Sequence, residues 1–226
     1  MSEKSVGTAR RAGGMPSLRL CVLASLLVAG TSVASAQDQD PPLVRLALVD
    51  LYGLTPDVAA ASAAETAAVL DRLGARTEVR WKAPSDPDDP RDLRVVLMPG
   101  DPGRLLKRTV MGAVQRGAPT LTLWVFPRTV AAVLGLPTEA AGSRTPEERA
   151  VFVRAFGRVV AHEVVHLMCP WREHDASGLM AAHMSQATLR GVSFEVEASL
   201  RRDFVLGAAV QADRSLQLAR GAGPLD

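Results

Sequence analysis

The first half of the chain consists of short apolar runs separated by polar or proline-rich segments, with one alanine-rich stretch among them. The alanine-rich stretch begins at Thr55 and Pro56, a capping residue followed by proline in the first turn, and stops at Gly74, which together predict a helix. The apolar runs are short and either rich in β-branched residues or alternating with polar ones, so they predict strands. The predicted strands are 43–51, 75–82, 93–98 and 120–126.

The second half is predicted to be mainly helical. Its first helix begins with a capping box, in which Thr145 is the cap, Pro146 takes the first helical position and Glu148 reaches back to the cap. From residue 150 onward this helix is apolar on almost every face, which is typical of a buried helix. Pro170 should end it, because proline lacks the N–H that would continue the hydrogen-bond ladder.

A last helix is predicted over about residues 194–220, with Arg201, Arg202 and Asp203 facing water. Strands that come first and helices that follow them predict an α+β domain. The length is enough for one domain with a sizeable core.

The N-terminus has the pattern of a secretory signal peptide. Basic residues precede an apolar run over 20–33, and small residues at Ala34 and Ala36 follow it. We therefore predict that residues 1–36 are a cleaved signal peptide, that residues 37–226 form the mature domain, and that the protein is secreted or periplasmic. The apolar run is too short for a comfortable membrane span, so no stable membrane insertion is expected after cleavage.

Removal of this segment changes the charge of the chain. Residues 1–36 contain four basic residues and one acidic residue, a net charge of +3, so the formal net charge changes from +2 to −1. Nothing in the remaining chain indicates nucleic-acid binding. One cysteine, Cys169, remains, so no intrachain disulfide can form. Stability must then come from packing or from a bound metal ion, and we expect a monomer.

Three of the four histidines lie within residues 162–174, and the first two form the motif HEVVH. His162 and His166 are four residues apart on the predicted buried helix, so both rings project from one face and can share a metal ion. Burying these ionisable side chains without a partner would be unfavourable. Zinc binds imidazole nitrogen and lowers the pKa of its bound water to about 7, and the adjacent Glu163 can accept that proton. The motif thus predicts two zinc ligands and a general base.

After the predicted helix the chain presents His174 and then the sequence SGLM, which ends at Met180. At this point the sequence resembles the metzincin clan of zinc peptidases, whose pattern HExxHxxGxxH precedes a tight turn that contains methionine. The resemblance implies that the zinc ligands are His162, His166 and His174, that Glu163 is the general base and that Met180 is the structural Met-turn residue. It also implies a zincin-like fold with a twisted mixed sheet, a buried active-site helix and a C-terminal helix.

Two positions depart from the clan's pattern. Cys169 stands where the clan has its glycine, and Arg172 stands where it has its third histidine, so His174 comes two residues late. Cys169 is interpreted as a small buried residue at the helix end, the alternative being a thiolate on the open zinc position. Asp175 is expected to face solvent rather than to orient a ligand.

The late position of the third histidine leaves other ligands open. Glu195 or Glu197 in the following segment would make a thermolysin-like site with two histidines and one glutamate. His183 could also serve, although it lies past the methionine and is more simply a surface residue.

The sequence favours a secreted zinc endopeptidase. In the expected mechanism, zinc-bound water loses a proton to Glu163 and attacks the peptide carbonyl, and Glu163 then passes the proton to the leaving amine. Substrates of the clan lie antiparallel along an edge strand, and we assign that role to the segment 120–126, from Thr120 to Phe126. The competing hypothesis is a zinc-binding protein without turnover.

Overall fold

The computed structural model describes residues 40–100, 109–115, 121–138 and 144–221. Their elements are β1 (Leu43–Asp50), α1 (Pro56–Arg72), β2 (Arg76–Lys82), β3 (Leu93–Leu97), β4 (Gly112–Gln115), β5 (Thr122–Val125), α2 (Pro127–Val133), α3 (Pro146–Met168), α4 (Gln186–Arg190) and α5 (Ala198–Gly221). The predicted signal peptide, residues 1–36, lies outside the described residues. Within the described ranges, no helix combines the length and the apolar character that a membrane span requires.

The strands form one mixed sheet in the order β2-β1-β3-β5-β4. Strands β2, β1, β3 and β5 run parallel to one another, and β4 pairs antiparallel with β5 at one edge. β1 is buried along most of its length, as expected of a strand with an almost continuous apolar run. The predicted combination of a mixed sheet with helices is therefore confirmed, and α1 forms the crossover between the parallel strands β1 and β2.

The prediction that the segment 120–126 is the edge strand is wrong. Its strand, β5, pairs with β3 on one side and with β4 on the other, and Leu123 and Val125 are fully buried. The edge strands are β2 and β4, and β4, which lies next to β5, is not predicted from the sequence. Its four residues, GAVQ, are too few to show an alternating pattern, and two of them are small.

Helix α3 forms where the sequence predicts it. The Thr145 hydroxyl accepts a hydrogen bond from the Glu148 N–H, and the Glu148 carboxylate accepts one from the Thr145 N–H, so the capping box is present. α3 packs closely against α1 at Gly157, where an added Cβ would lie 2.6 Å from Cγ of Glu65. Nearly all residues over 155–168 are buried. The side chains in this half of the helix are therefore held by packing.

Helix α5 begins at Ala198, later than predicted. Arg201 and Arg202 are exposed as expected, but Asp203 does not simply face water. Its carboxylate accepts a hydrogen bond from Nη1 of Arg172 at 2.8 Å. This contact is not predictable from the sequence, because the two residues lie on separate elements that only the fold brings together.

Candidate metal centre

Three histidine rings converge at the end of α3. His162 and His166 lie one helical turn apart, with their Nε2 atoms separated by 3.1 Å. His174 comes from the loop that follows α3, and its Nε2 lies 3.0 Å from that of His166. One ring nitrogen from each histidine lies within 4.8 Å of the others, and no other group of this kind is present in the part of the chain that the structure describes. These three residues can bind one metal ion.

The spacing of the ring nitrogens suits a tetrahedral ion. Zinc–nitrogen bonds of about 2.0–2.1 Å place two ligand nitrogens about 3.3 Å apart in a tetrahedral site. The corresponding separations here are 3.0 and 3.1 Å. Three imidazoles are also a donor set that zinc takes in catalytic sites, where a fourth position stays open. The residues present therefore fit zinc.

The tautomer of His162 is set by the backbone of Leu179. Nδ1 of His162 lies 2.7 Å from the Leu179 carbonyl oxygen, which can only accept, so Nδ1 carries the proton and Nε2 is free to bind a metal ion. Burial lowers the pKa of His162, and the hydrogen bond to Leu179 opposes that effect. The ring is thus kept in the neutral form that metal binding requires.

The turn that supplies this carbonyl also contains Met180. Gly178 has a φ of 78°, in the left-handed region that glycine adopts without strain, and its carbonyl accepts from the Ala181 N–H at 3.4 Å. Met180 is fully buried, and its carbonyl accepts from the Asp175 N–H at 2.9 Å. The turn therefore contacts both sides of the site: Met180 bonds to the backbone of Asp175, which follows His174, and Leu179 bonds to the ring of His162.

Glu163 is the buried carboxyl of this site, 8% exposed, and burial raises its pKa to about 7. Strand β4 lies directly against it. A Cβ added to Gly112 would be 2.6 Å from Cγ of Glu163, 2.7 Å from Oε1 and 2.8 Å from Cδ. A residue without a side chain is needed for the strand to approach this closely. The role of Gly112 is not predicted from the sequence, because nothing in its neighbourhood indicates contact with a residue so far along the chain.

A cavity of about 280 Å³ is lined by the three histidines and Glu163. Its other walls are residues 109–112, at the start of β4, and residues 181–184, after the turn. His183 belongs to the second wall and is exposed, but it is not part of the group of three ring nitrogens. The cavity gives a ligand from solution access to the convergent nitrogens and to the carboxyl.

The structure does not bring the alternative glutamates to the histidines. Glu195 and Glu197 are exposed and line a different cavity, together with Leu179 and Phe194. Neither belongs to the group that can hold a metal ion. The thermolysin-like arrangement is therefore not the one this fold presents.

Two neighbours of the motif are placed by contacts with the rest of the fold. Cys169 is buried, its thiol donates to the Asp203 carbonyl oxygen at 3.3 Å, and burial raises its pKa to about 11. It packs at the helix end, as interpreted from the sequence, and is not a thiolate in the cavity. The expectation that Asp175 faces solvent is wrong, because its carboxylate accepts two hydrogen bonds from Nη2 of Arg172.

A comparison with solved structures finds a similarity to the crystal structure of archaemetzincin from Methanopyrus kandleri. The two chains are 16% identical, the similarity covers 77% of this chain and 96% of that chain, and the TM-score is 0.46. No family model matches the chain, and no curated protein matches it. The fold and the site together define a mixed α/β domain with a three-histidine group that can bind a metal ion beside a buried glutamate.

Proposed function

We propose that the protein is a secreted zinc endopeptidase, with His162, His166 and His174 as zinc ligands and Glu163 as the general base. The observation that carries the proposal is the convergence of three imidazole nitrogens next to a buried carboxyl, in one accessible cavity. A protein that only bound zinc would need the three histidines. A buried carboxyl such as that of Glu163 would add only the cost of its burial to such a site.

Bound zinc would supply the Lewis acid that activates water and polarises the peptide carbonyl. Glu163 follows His162 on the same helix and lines the same cavity, so its carboxylate can accept the proton of the attacking water. Once it is protonated, the same carboxyl can return that proton to the leaving amine. His162 keeps its own proton on Nδ1, because the Leu179 carbonyl accepts it.

The substrate is proposed to lie along the outer edge of β4, which pairs with no strand among the described residues. The Phe126 N–H donates to the Met111 carbonyl oxygen at 2.9 Å, so Met111 turns its carbonyl toward the β5 side. Along an antiparallel ladder, the residues that hydrogen-bond to the neighbouring strand alternate with residues whose N–H and C=O groups point the other way. Gly112 and Val114 therefore turn their N–H and C=O groups to this outer edge. Because Gly112 is also in contact with Glu163, an extended peptide that pairs with this edge would pass the general base.

The test is the zinc content and the peptide cleavage of the full chain and its variants. The wild type should hold one zinc ion and cleave members of a broad peptide library. Glu163→Gln keeps the shape and the three ligands but cannot accept a proton, so zinc content should be unchanged and cleavage should fall by about two to four orders of magnitude. His174→Ala should bind zinc much more weakly than the wild type, whereas Glu195→Ala and Glu197→Ala should bind it as tightly as the wild type.

Loss of zinc from Glu163→Gln would make Glu163 a ligand and contradict the mechanism. If wild type and Glu163→Gln both bound zinc and neither cleaved any library peptide, the protein would be a zinc-binding protein without turnover. Zinc loss from Glu195→Ala or Glu197→Ala, with zinc retained by His174→Ala, would restore the thermolysin-like alternative.

We also propose that residues 1–36 are removed on export. The support is the sequence pattern of basic residues, apolar run and small residues. Intact-mass measurement of secreted protein should show a chain that begins at Gln37. A mass that includes the apolar run 20–33 would indicate a membrane anchor instead.

A further inference from the structure

We infer that Arg172 is a positioning residue for the third metal ligand, because its guanidinium joins the loop that carries His174 to helix α5. The inference rests on the metal site of the proposed function, but it does not depend on peptide cleavage. It gives a role to the residue that stands at the third-histidine position of the metzincin pattern and is not itself a ligand here.

His174 is the histidine of the group that the fold encloses least. His162 is buried in α3 with its Nδ1 bonded to a carbonyl, and His166 is half-buried on the same helix. His174 is exposed and comes from the loop between α3 and the Met180 turn. Its position 3.0 Å from His166 therefore depends on how firmly the backbone of that loop is held.

The Arg172 guanidinium binds two carboxylates from different elements. Nη2 donates to the two oxygens of Asp175, at 2.9 and 3.1 Å, and Nη1 donates to Oδ2 of Asp203 in α5, at 2.8 Å. The Arg172 side chain is 12% exposed, so water and salt screen these pairs less than they screen pairs at the surface. Charge-assisted hydrogen bonds to both ends of a planar guanidinium also fix the relative orientation of the groups.

Asp175 directly follows His174, and its backbone is held as well. Its N–H donates to the Met180 carbonyl at 2.9 Å, and it forms an isolated β-bridge with Ala181. The turn therefore holds Asp175 through the backbone, while Arg172 holds it through the side chain. Of these two attachments, the one through Arg172 connects the loop to α5.

Loss of the Arg172 attachment would let the loop adopt conformations in which His174 is out of reach of the other two rings. The apparent zinc affinity would then fall in proportion to the fraction of molecules that remain competent to bind. Residues that orient metal ligands typically change metal affinity by about 10- to 100-fold when they are substituted. We expect a loss of at least about tenfold for Arg172→Met, which keeps an aliphatic side chain and removes both ion pairs.

The experiment measures the zinc affinity of the full chain by competition with a chromogenic chelator, with zinc alone as the probe. The matched control is Arg149→Met, since Arg149 pairs with Asp57 at 3.6 Å near the start of α3 and its loss also removes one cation. Arg172→Met should bind zinc at least about tenfold more weakly than wild type. Arg149→Met should bind it as tightly as wild type.

A double-mutant cycle separates positioning from a general loss of stability. In a His174→Ala background, Arg172→Met should not weaken the residual zinc affinity further, because the ligand that Arg172 positions is gone. Equal zinc affinity of wild type and Arg172→Met would overturn the inference, and so would an undiminished effect in the His174→Ala background. Failure of the wild type to bind zinc would refute the metal site itself, whereas the first two outcomes leave that site intact.

Asp203→Asn provides a second variant if Arg172→Met does not fold. It nearly conserves volume and removes the charge with which Arg172 pairs on α5. Zinc affinity should fall, but less than in Arg172→Met, because the pair with Asp175 remains. A folded Asp203→Asn protein with the zinc affinity of the wild type would likewise overturn the inference.

Discussion

Glutamine in place of Glu163 should stabilise the metal-free protein at neutral and alkaline pH, because it fills nearly the same space without the charge that burial disfavours. Burial raises the pKa of Glu163 from 4.5 to about 7. Between these pH values the folded protein keeps a proton that the unfolded chain has lost, so wild-type stability falls as the pH rises through this window. Below this pH range the Glu163 carboxyl is protonated in both states and does not change the unfolding free energy. Above this range the unfolding free energy is lowered by the full amount.

The size of the effect follows from the difference between the two pKa values. A pKa difference of one corresponds to about 1.4 kcal/mol, so the shift of Glu163 to about 7 corresponds to about 3 kcal/mol of unfolding free energy at pH 8. The side chain is only 8% exposed, so solvent screening reduces this figure little. His162, whose pKa burial lowers, is present in both proteins and largely cancels in the comparison.

Chemical denaturation of chelator-treated wild type and Glu163→Gln at pH 5 and pH 8 measures this effect. The metal must be removed, because zinc bound to the folded state would add its own binding free energy. The stability advantage of Glu163→Gln should be larger at pH 8 than at pH 5 by about 2–3 kcal/mol. Glu173→Gln, which removes an exposed carboxylate from the nearby loop, serves as the control.

An advantage that is the same at both pH values would refute the reasoning, because Glu163 would then titrate alike in the folded and unfolded protein. A wild type that is more stable than Glu163→Gln at pH 8 would contradict it more strongly. The carboxylate would then have a favourable partner in the folded state, and its burial would not be the dominant influence on its pKa.

Two further substitutions test the surroundings of the site. Met180→Leu nearly conserves the volume of a fully buried side chain, so the unfolding free energy should fall by less than about 1.5 kcal/mol. The zinc content should not change, and loss of zinc in metal analysis would contradict a structural role for Met180. Gly112→Ala would place a methyl group 2.6 to 2.8 Å from three atoms of Glu163, so the carboxyl must move. Peptide cleavage should then fall by about two orders of magnitude while zinc stays bound. Gly100→Ala is the control, because a Cβ there meets no atom within 4 Å, and equal activity of the two alanine variants would refute the importance of the contact.

The features that the sequence predicts well are those whose signals are local. The capping box of Thr145 and Glu148 is complete within one turn and sets the start of α3. The four-residue spacing of His162 and His166 puts both rings on one face of any helix that contains them. Neither relation needs information from another part of the chain, so both can be recognised before the fold is known.

Relations between distant segments could not be predicted in this way. β4 precedes β5 in the chain but lies outside it in the sheet, and the order of the strands along the chain does not reveal which one forms the edge. Within its own helix, Asp203 has the pattern of a solvent-facing residue, until the fold brings Arg172 to it. Gly112 likewise has no distinctive pattern, because its importance comes entirely from the position of Glu163.

The departure from the metzincin pattern at Cys169 has a physical explanation in helix α5. A glycine would allow a left-handed reversal, whereas Cys169 ends α3 with a φ of −120° and a ψ of 67°, outside the left-handed region. Gly207 of α5 lies against this point, where an added Cβ would be 2.2 Å from the Met168 carbonyl oxygen and 3.2 Å from Sγ of Cys169. One turn earlier on α5, Asp203 accepts from both the Cys169 thiol and the Arg172 guanidinium. Because α5 contacts the end of α3 and the loop that follows it, the docking of this last helix supports the loop that carries the third histidine.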